Sequence, residues 1–121
     1  MNKHFDLEDR LIDYAVSIIE LVDLLPNTKA ANHLGGQLLR SGTSPALNYG
    51  EAQSSESRRD FIHKFKIILK ELRESFICIK VLMKSSIKED IELANNLSKE
   101  TNELISIFVK SIETAQKNDT R

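Results

Sequence analysis

The stretch SRRDFIHKFKIILKELRESFICIKVLMK, residues 57–84, decides the fold class. Its side chains Ile62, Phe65, Leu69, Leu72, Phe76, Ile79 and Met83 recur at three- and four-residue steps, the helical period. Phe61, Ile68 and Leu82 widen that stripe on one flank. Ser57, with Asp60 three residues on, reads as a capping-box-like start. The spacing predicts one long amphipathic helix to about Lys84, whose apolar stripe must be covered by other helices.

The flanking sequence supplies them. Upstream, Leu7, Leu11, Ala15, Ile18, Val22 and Leu25 form a stripe after an N-cap at Asp6, with a second row at Ile12, Val16 and Ile19. Two rows make a face wider than one neighbour covers. A second helical region starts after Asn27 or Thr28 and ends near 54–57, with a break signal inside it. Ser44-Pro45 reads as an N-cap and first-turn proline, so this element is predicted kinked or divided. Gly35, Gly36, Gly42 and Ala46 keep one side of it thin. Downstream, Ser86-Ile87-Lys88-Glu89 reads as a capping box opening a last helix. Its inward face is Ala94, Leu97, Thr101, Leu104, Phe108, Ile112 and Ala115, and residues 116–121 are expected to fray. Four helices with short connections predict an all-α, antiparallel up-down-up-down bundle spanning residues 1–121 as one domain, with its core over about 6–115.

The 121 residues suit one domain, and 40% apolar with 29% charged residues is a globular balance. No apolar run is long enough to span a bilayer, and the opening Met-Asn-Lys-His-Phe-Asp lacks a signal-peptide core. The single cysteine, Cys78, excludes an internal disulfide and leads us to expect a cytoplasmic location. His4, His33 and His63 lack metal-ligand spacing, and no phosphate-loop, dinucleotide or nucleophile-elbow motif is present, so neither metal nor cofactor is expected.

The net charge of −1 conceals segregation. Residues 1–25 hold two cations and six carboxylates; residues 58–84 hold eight cations and three carboxylates, or +5. Arg59, His63, Lys66, Lys70, Arg73, Lys80 and Lys84 lie opposite the Phe65/Leu72/Ile79 stripe, interrupted only by Ile77. The ridge would be about 38 Å long at 1.5 Å per residue. It reads either as a solvated face, partly neutralised by the acidic first helix and by a Lys70–Glu74 pair, or as a phosphate-binding surface. No aromatic residue interleaves with it, so any contact would be to backbone rather than stacked bases. Arg59, Lys66, Lys70, Arg73 and Lys80 are the candidate nucleic-acid contacts.

Two further patterns carry polar chemistry. Arg58 and His63 form Arg-x-x-x-x-His, a spacing that resembles the ribonuclease motif of HEPN domains, although Arg59 stands where that motif has a polar residue. Cleavage would need both side chains in one cleft. Arg40, Ser44, Asn48 and Glu51 share a helical face, and Arg40 or Asn48 is placed to pair with Glu71 or Glu74. We read these six as a structural polar network, with a ligand or partner site as the other reading.

Leu25-Pro26, Gln37-Leu38-Leu39-Arg40-Ser41-Gly42-Thr43-Ser44-Pro45-Ala46-Leu47-Asn48-Tyr49-Gly50-Glu51-Ala52 and the block from Asp60 to Ser75 together resemble the four-helix bundle proteins encoded in bacterial 23S rRNA intervening sequences. The likeness covers about residues 7–115. It departs at Pro45-Ala46-Leu47, where the family more often has Ile-Gly-Ala or Ile-Pro-Ala. The resemblance implies a homopentamer without established catalysis, related to the accessory protein of diversity-generating retroelements, whose basic surface binds nucleic acid and a reverse transcriptase. The expectation is therefore a non-catalytic oligomeric bundle that binds RNA or DNA backbone through its third helix. A protein-interaction scaffold is the alternative, and an RNA-cleaving bundle using Arg58 and His63 is a lesser one.

Overall fold

A computed structural model describes residues 6–119, and the side chains to residue 118. His4, Thr120 and Arg121 lie outside the described residues. The chain forms α1 (Leu7–Asp23), α2 (Lys29–Gln53), α3 (Arg58–Lys84) and α4 (Ile91–Asp119). Each helix begins where a side chain accepts an otherwise unpaired backbone N–H. Asp6 accepts from Asp9 N at 3.2 Å, Thr28 from Ala31 N at 3.1 Å, Ser57 from Asp60 N at 3.1 Å and Asp90 from Leu93 N at 3.0 Å.

Packing follows the chain around a square: α1 on α2, α2 on α3, α3 on α4 and α4 back on α1, while among the described residues the backbones of diagonal helices stay apart and meet only through side chains such as Tyr49 and Phe108. The four-helix, all-α bundle is thus as the periodicity requires. Every residue expected on the inner face of α4 is buried. On α3 the buried line lies toward the expected flank: Ile68 and Leu82 are fully buried, while Leu69, Phe76 and Met83 are only partly covered. The side of α3 that meets α2 also buries Glu71, Ser75 and Cys78, and this turns the helix.

Two local expectations change. Of the two forms expected at Ser44-Pro45, kinked or divided, the divided one is excluded: α2 is one element, capped by Thr28, with Pro45 buried inside it. Around the proline, Asn48 Nδ2 donates to Ser44 O and Oγ, and Thr43 Oγ1 donates to Leu39 O, so polar side chains line the turns that lose regular bonding. The Gly42 backbone lies so close to Ile18 that a Cβ there would sit 2.6 Å from its Cγ1. Packing against α1 holds α2 through the proline. The Ser86–Glu89 capping box does not form. Ser85 Oγ donates to Leu82 O and accepts from Ile87 N, Ile87 packs on the core, and α4 opens at Ile91 behind Asp90. Residues 116–119 lie within α4, just beyond buried Ile112 and Ala115.

A layer of hydroxyls crosses the core and draws on all four helices. Ser41 Oγ (α2) and Ser75 Oγ (α3) are 2.7 Å apart, and Tyr14 Oη (α1) and Thr101 Oγ1 (α4) are 2.7 Å apart. All four residues are at most 2% exposed. Thr101 spends its proton on Leu97 O at 2.6 Å, so Tyr14 donates to Thr101. The Ser75 hydroxyl lies near enough to the phenol to act on its pKa. Two steps of the layer have a fixed direction: Tyr14 to Thr101, and Thr101 to the Leu97 carbonyl. Burial pushes the Tyr14 phenol up to about 12, against the pull of these hydroxyls.

Candidate nucleic-acid interface

The basic ridge survives in three dimensions. Arg59, His63, Lys66, Lys70, Arg73, Lys80 and Lys84 are all exposed on the outer side of α3, with Ile77 exposed among them. Glu74, expected to pair with Lys70, is engaged elsewhere. Glu71 and Glu74 lie on the α2 side, where both bind Arg40, the Glu71 contact being 2.8 Å. Glu51 binds Lys64. The acidic helix α1 stands diagonally across the bundle from α3, and its one cation, Arg10, reaches α4 to pair with Glu100 and Glu103 at 2.6 Å each. These bonds raise the Arg10 pKa, that to Glu100 most. None of Arg59, Lys66, Lys70, Arg73 or Lys80 forms an ion pair with a described residue. Lys80 lies over the Phe76 ring, 4.6 Å from its centroid.

The polar network divides into parts. Arg40 joins Glu71 and Glu74 as the spacing suggested, but Asn48 bonds to Ser44 and Glu51 to Lys64, so the six residues do not form one cluster. The buried centre is instead the Ser41–Ser75 pair, which the sequence gives no signal for beyond two small polar residues at core-facing positions.

Arg58 and His63 do not share a cleft. Five residues turn a helix by about 140°, so they leave α3 on different sides. His63 lines a groove between α3 and α4 with Arg59, Asp60, Ile62, Lys66 and Gln116. Arg58 lines a larger cleft at the end of the bundle, with Leu7, Tyr49, Phe61 and Phe65 and with α4 residues from Ser106 to Asn118. This cleft escaped the sequence reading because its aromatic residues come from α2 and α3 and its lips from α1 and α4.

The second apolar row of α1 is left uncovered. Ile12, Val16 and Ile19 are 45%, 49% and 42% exposed. On α2, Leu39 and Leu47 are exposed too, and Gly36 and Gly50 face open space. The spacing of both rows places them on the outer side of the α1–α2 seam, away from the ridge. Among the described residues, no helix is long and apolar enough to cross a membrane, and no group of three or more His, Cys, Asp or Glu is placed to hold a metal.

The sequence profile of 23S rRNA-intervening sequence proteins matches residues 3–110. Among similar solved structures is a protein of unknown function from the S23 ribosomal protein family of Bacteroides thetaiotaomicron, 30% identical, with a TM-score of 0.80 over 88% of this chain and 98% of that one. No curated protein matches the chain.

Proposed function

The chain belongs to the 23S rRNA-intervening sequence protein family, and from that premise we propose that it is a non-catalytic, oligomeric bundle that holds RNA or DNA by its phosphate backbone along α3. One observation carries the reading: five cations of the ridge, Arg59, Lys66, Lys70, Arg73 and Lys80, are exposed and have no carboxylate partner among the described residues. A solvated face that served only solubility would mix both signs. Separation of Arg58 and His63 onto two clefts supports the absence of cleavage chemistry. Self-association uses the uncovered α1–α2 face, on the side away from the ridge, and the pentamer implied by the family would present five ridges at once. A cytoplasmic location agrees with the lone, buried Cys78 thiol.

The test is light scattering coupled to size exclusion, with and without a short structured RNA, across a salt series. An oligomer that takes up RNA and releases it as salt rises is expected. Val16→Glu should dissociate it, and Lys66→Glu with Arg73→Glu should abolish uptake while assembly persists. An oligomer indifferent to RNA at low salt refutes the ridge and leaves a protein-binding scaffold as the function.

A further inference from the structure

Of the four seams of the bundle, α1–α4 is the loosest, and toward the start of α1 it opens into a cleft of about 740 Å³, within the range of small-ligand sites. Its floor is aromatic. Phe61 and Phe65 have ring centroids 4.2 Å apart, and Tyr49 and Phe65 5.8 Å, with planes tilted by 32° and 33°. Phe65 is buried, but Tyr49 and Phe61 are only half-buried. Leu7 and Ile107 are apolar lining residues. Two cations, Arg58 and Lys110, line the cleft, and no carboxylate among the described residues does. The Tyr49 phenol is raised by burial and by Glu8 and Asp6 near it, so that part of the cleft repels an anion and the Lys110 part attracts one.

An aromatic floor with cationic walls suits a flat ring that carries a negative group. We propose that the cleft receives one unstacked nucleobase with its phosphate, the ring stacked on Phe61 and Tyr49 and the phosphate at Lys110. Arg58 on the cleft wall and Arg59 on the ridge are consecutive residues in the first turn of α3, so a strand that follows the ridge to that end arrives at the cleft. As the end point of a bound strand, the site rests on the backbone-binding reading above; a lone nucleotide tests the cleft by itself.

The experiment has two arms. In the first, the full chain is titrated with uridine and adenosine 5′-monophosphates and followed by amide chemical shifts. Shifts at 106–118 and around Tyr49 are expected. Lys110→Glu and Phe61→Leu should each weaken binding about tenfold, the scale of one lost base stack or charge contact. Lys66→Glu with Arg73→Glu should leave it unchanged. Lys110 is exposed, so its variant carries the test if Phe61→Leu lowers helicity. In the second arm, a single-stranded oligonucleotide is compared with the same strand made abasic, and the intact strand should bind about tenfold more tightly. A mononucleotide that moves no cleft amide overturns the proposal. So does an abasic strand bound as tightly as the intact one, which would leave the ridge standing. A mononucleotide that fills the cleft of a protein that binds no strand keeps the cleft and removes the ridge.

Discussion

Tyr14→Phe should destabilise the bundle by about 2 kcal/mol. Tyr14 is 2% exposed and its phenol donates to Thr101 in the buried hydroxyl layer. Phenylalanine keeps the ring packing and removes this bond. A net hydrogen bond contributes roughly 0.5–1.5 kcal/mol, and a buried partner left unsatisfied costs about 1–3 kcal/mol. Thr101 keeps its bond to Leu97 O, so only its acceptor side is lost, and Ser75 keeps its bond with Ser41. That partial rescue places the sum near the middle of the range. At about 4 °C per kcal/mol for a domain of this size, Tm should fall by about 8 °C. The assay is thermal and urea denaturation at one fixed protein concentration, because assembly shifts apparent stability. A Tyr14→Phe, Thr101→Val double-mutant cycle should give a coupling of at least about 0.5 kcal/mol. A Tyr14→Phe protein within about 0.3 kcal/mol of the parent would refute the contribution of this bond to the core.

The remaining predictions concern pH, backbone space and charge. The raised Tyr14 pKa means that the folded state holds this proton more tightly than the unfolded chain. Its stabilisation is therefore complete below about pH 10 and lost as pH rises toward 12, by roughly 3 kcal/mol in all, and Tyr14→Phe should lack that part of the alkaline decline. Gly42→Ala should destabilise by about 1–3 kcal/mol despite better helix propensity, because its Cβ would meet three atoms of Ile18 within 2.9 Å, whereas Gly50→Ala, in open space, should stabilise the subunit by about 0.5–1 kcal/mol; equal melting shifts would contradict the packing. Removing single ridge cations, as in Lys70→Ala, should lower the slope of log affinity against log salt by about one each, and an unaltered slope would show that the ridge does not meet phosphate.

The fold was legible wherever a helix has one neighbour-facing stripe in a regular period, as in α4 and the start of α3. It was less so where packing overrides local preference. Pro45 signals a boundary in isolation, yet a helix squeezed against Ile18 at Gly42 continues through it. Ser86 and Asp90 are comparable caps, and only the seating of Ile87 on the core decides between them. The ridge could be read from sequence because it lies on one helix, where spacing is geometry. The pairing of Glu71 and Glu74 with Arg40 was legible too, from the spacing on α2, but that of Glu51 with Lys64 was not, since it crosses from α2 to α3 with no pattern to mark it. Nor was the end cleft, whose floor joins Tyr49 to Phe61 and Phe65 across two helices.

The diagonal placement of α1 and α3 makes a nearly neutral subunit into an electric dipole across its width. The α1 pole carries five carboxylates and one cation, and the α3 pole eight cations and three carboxylates. Neighbouring helices pack about 8–10 Å apart, so the poles are separated by roughly 13 Å. At physiological ionic strength the screening length is about 8 Å, shorter than that separation. A polyanion at the α3 surface then meets a strongly positive body, whatever the net charge. At about 0.01 M salt the screening length grows to about 30 Å, and the same polyanion senses both poles, which partly cancel. The subunit is turned α3-first by torque rather than drawn in by net attraction, and its affinity for a phosphate chain should level off at the lowest salt instead of climbing without limit.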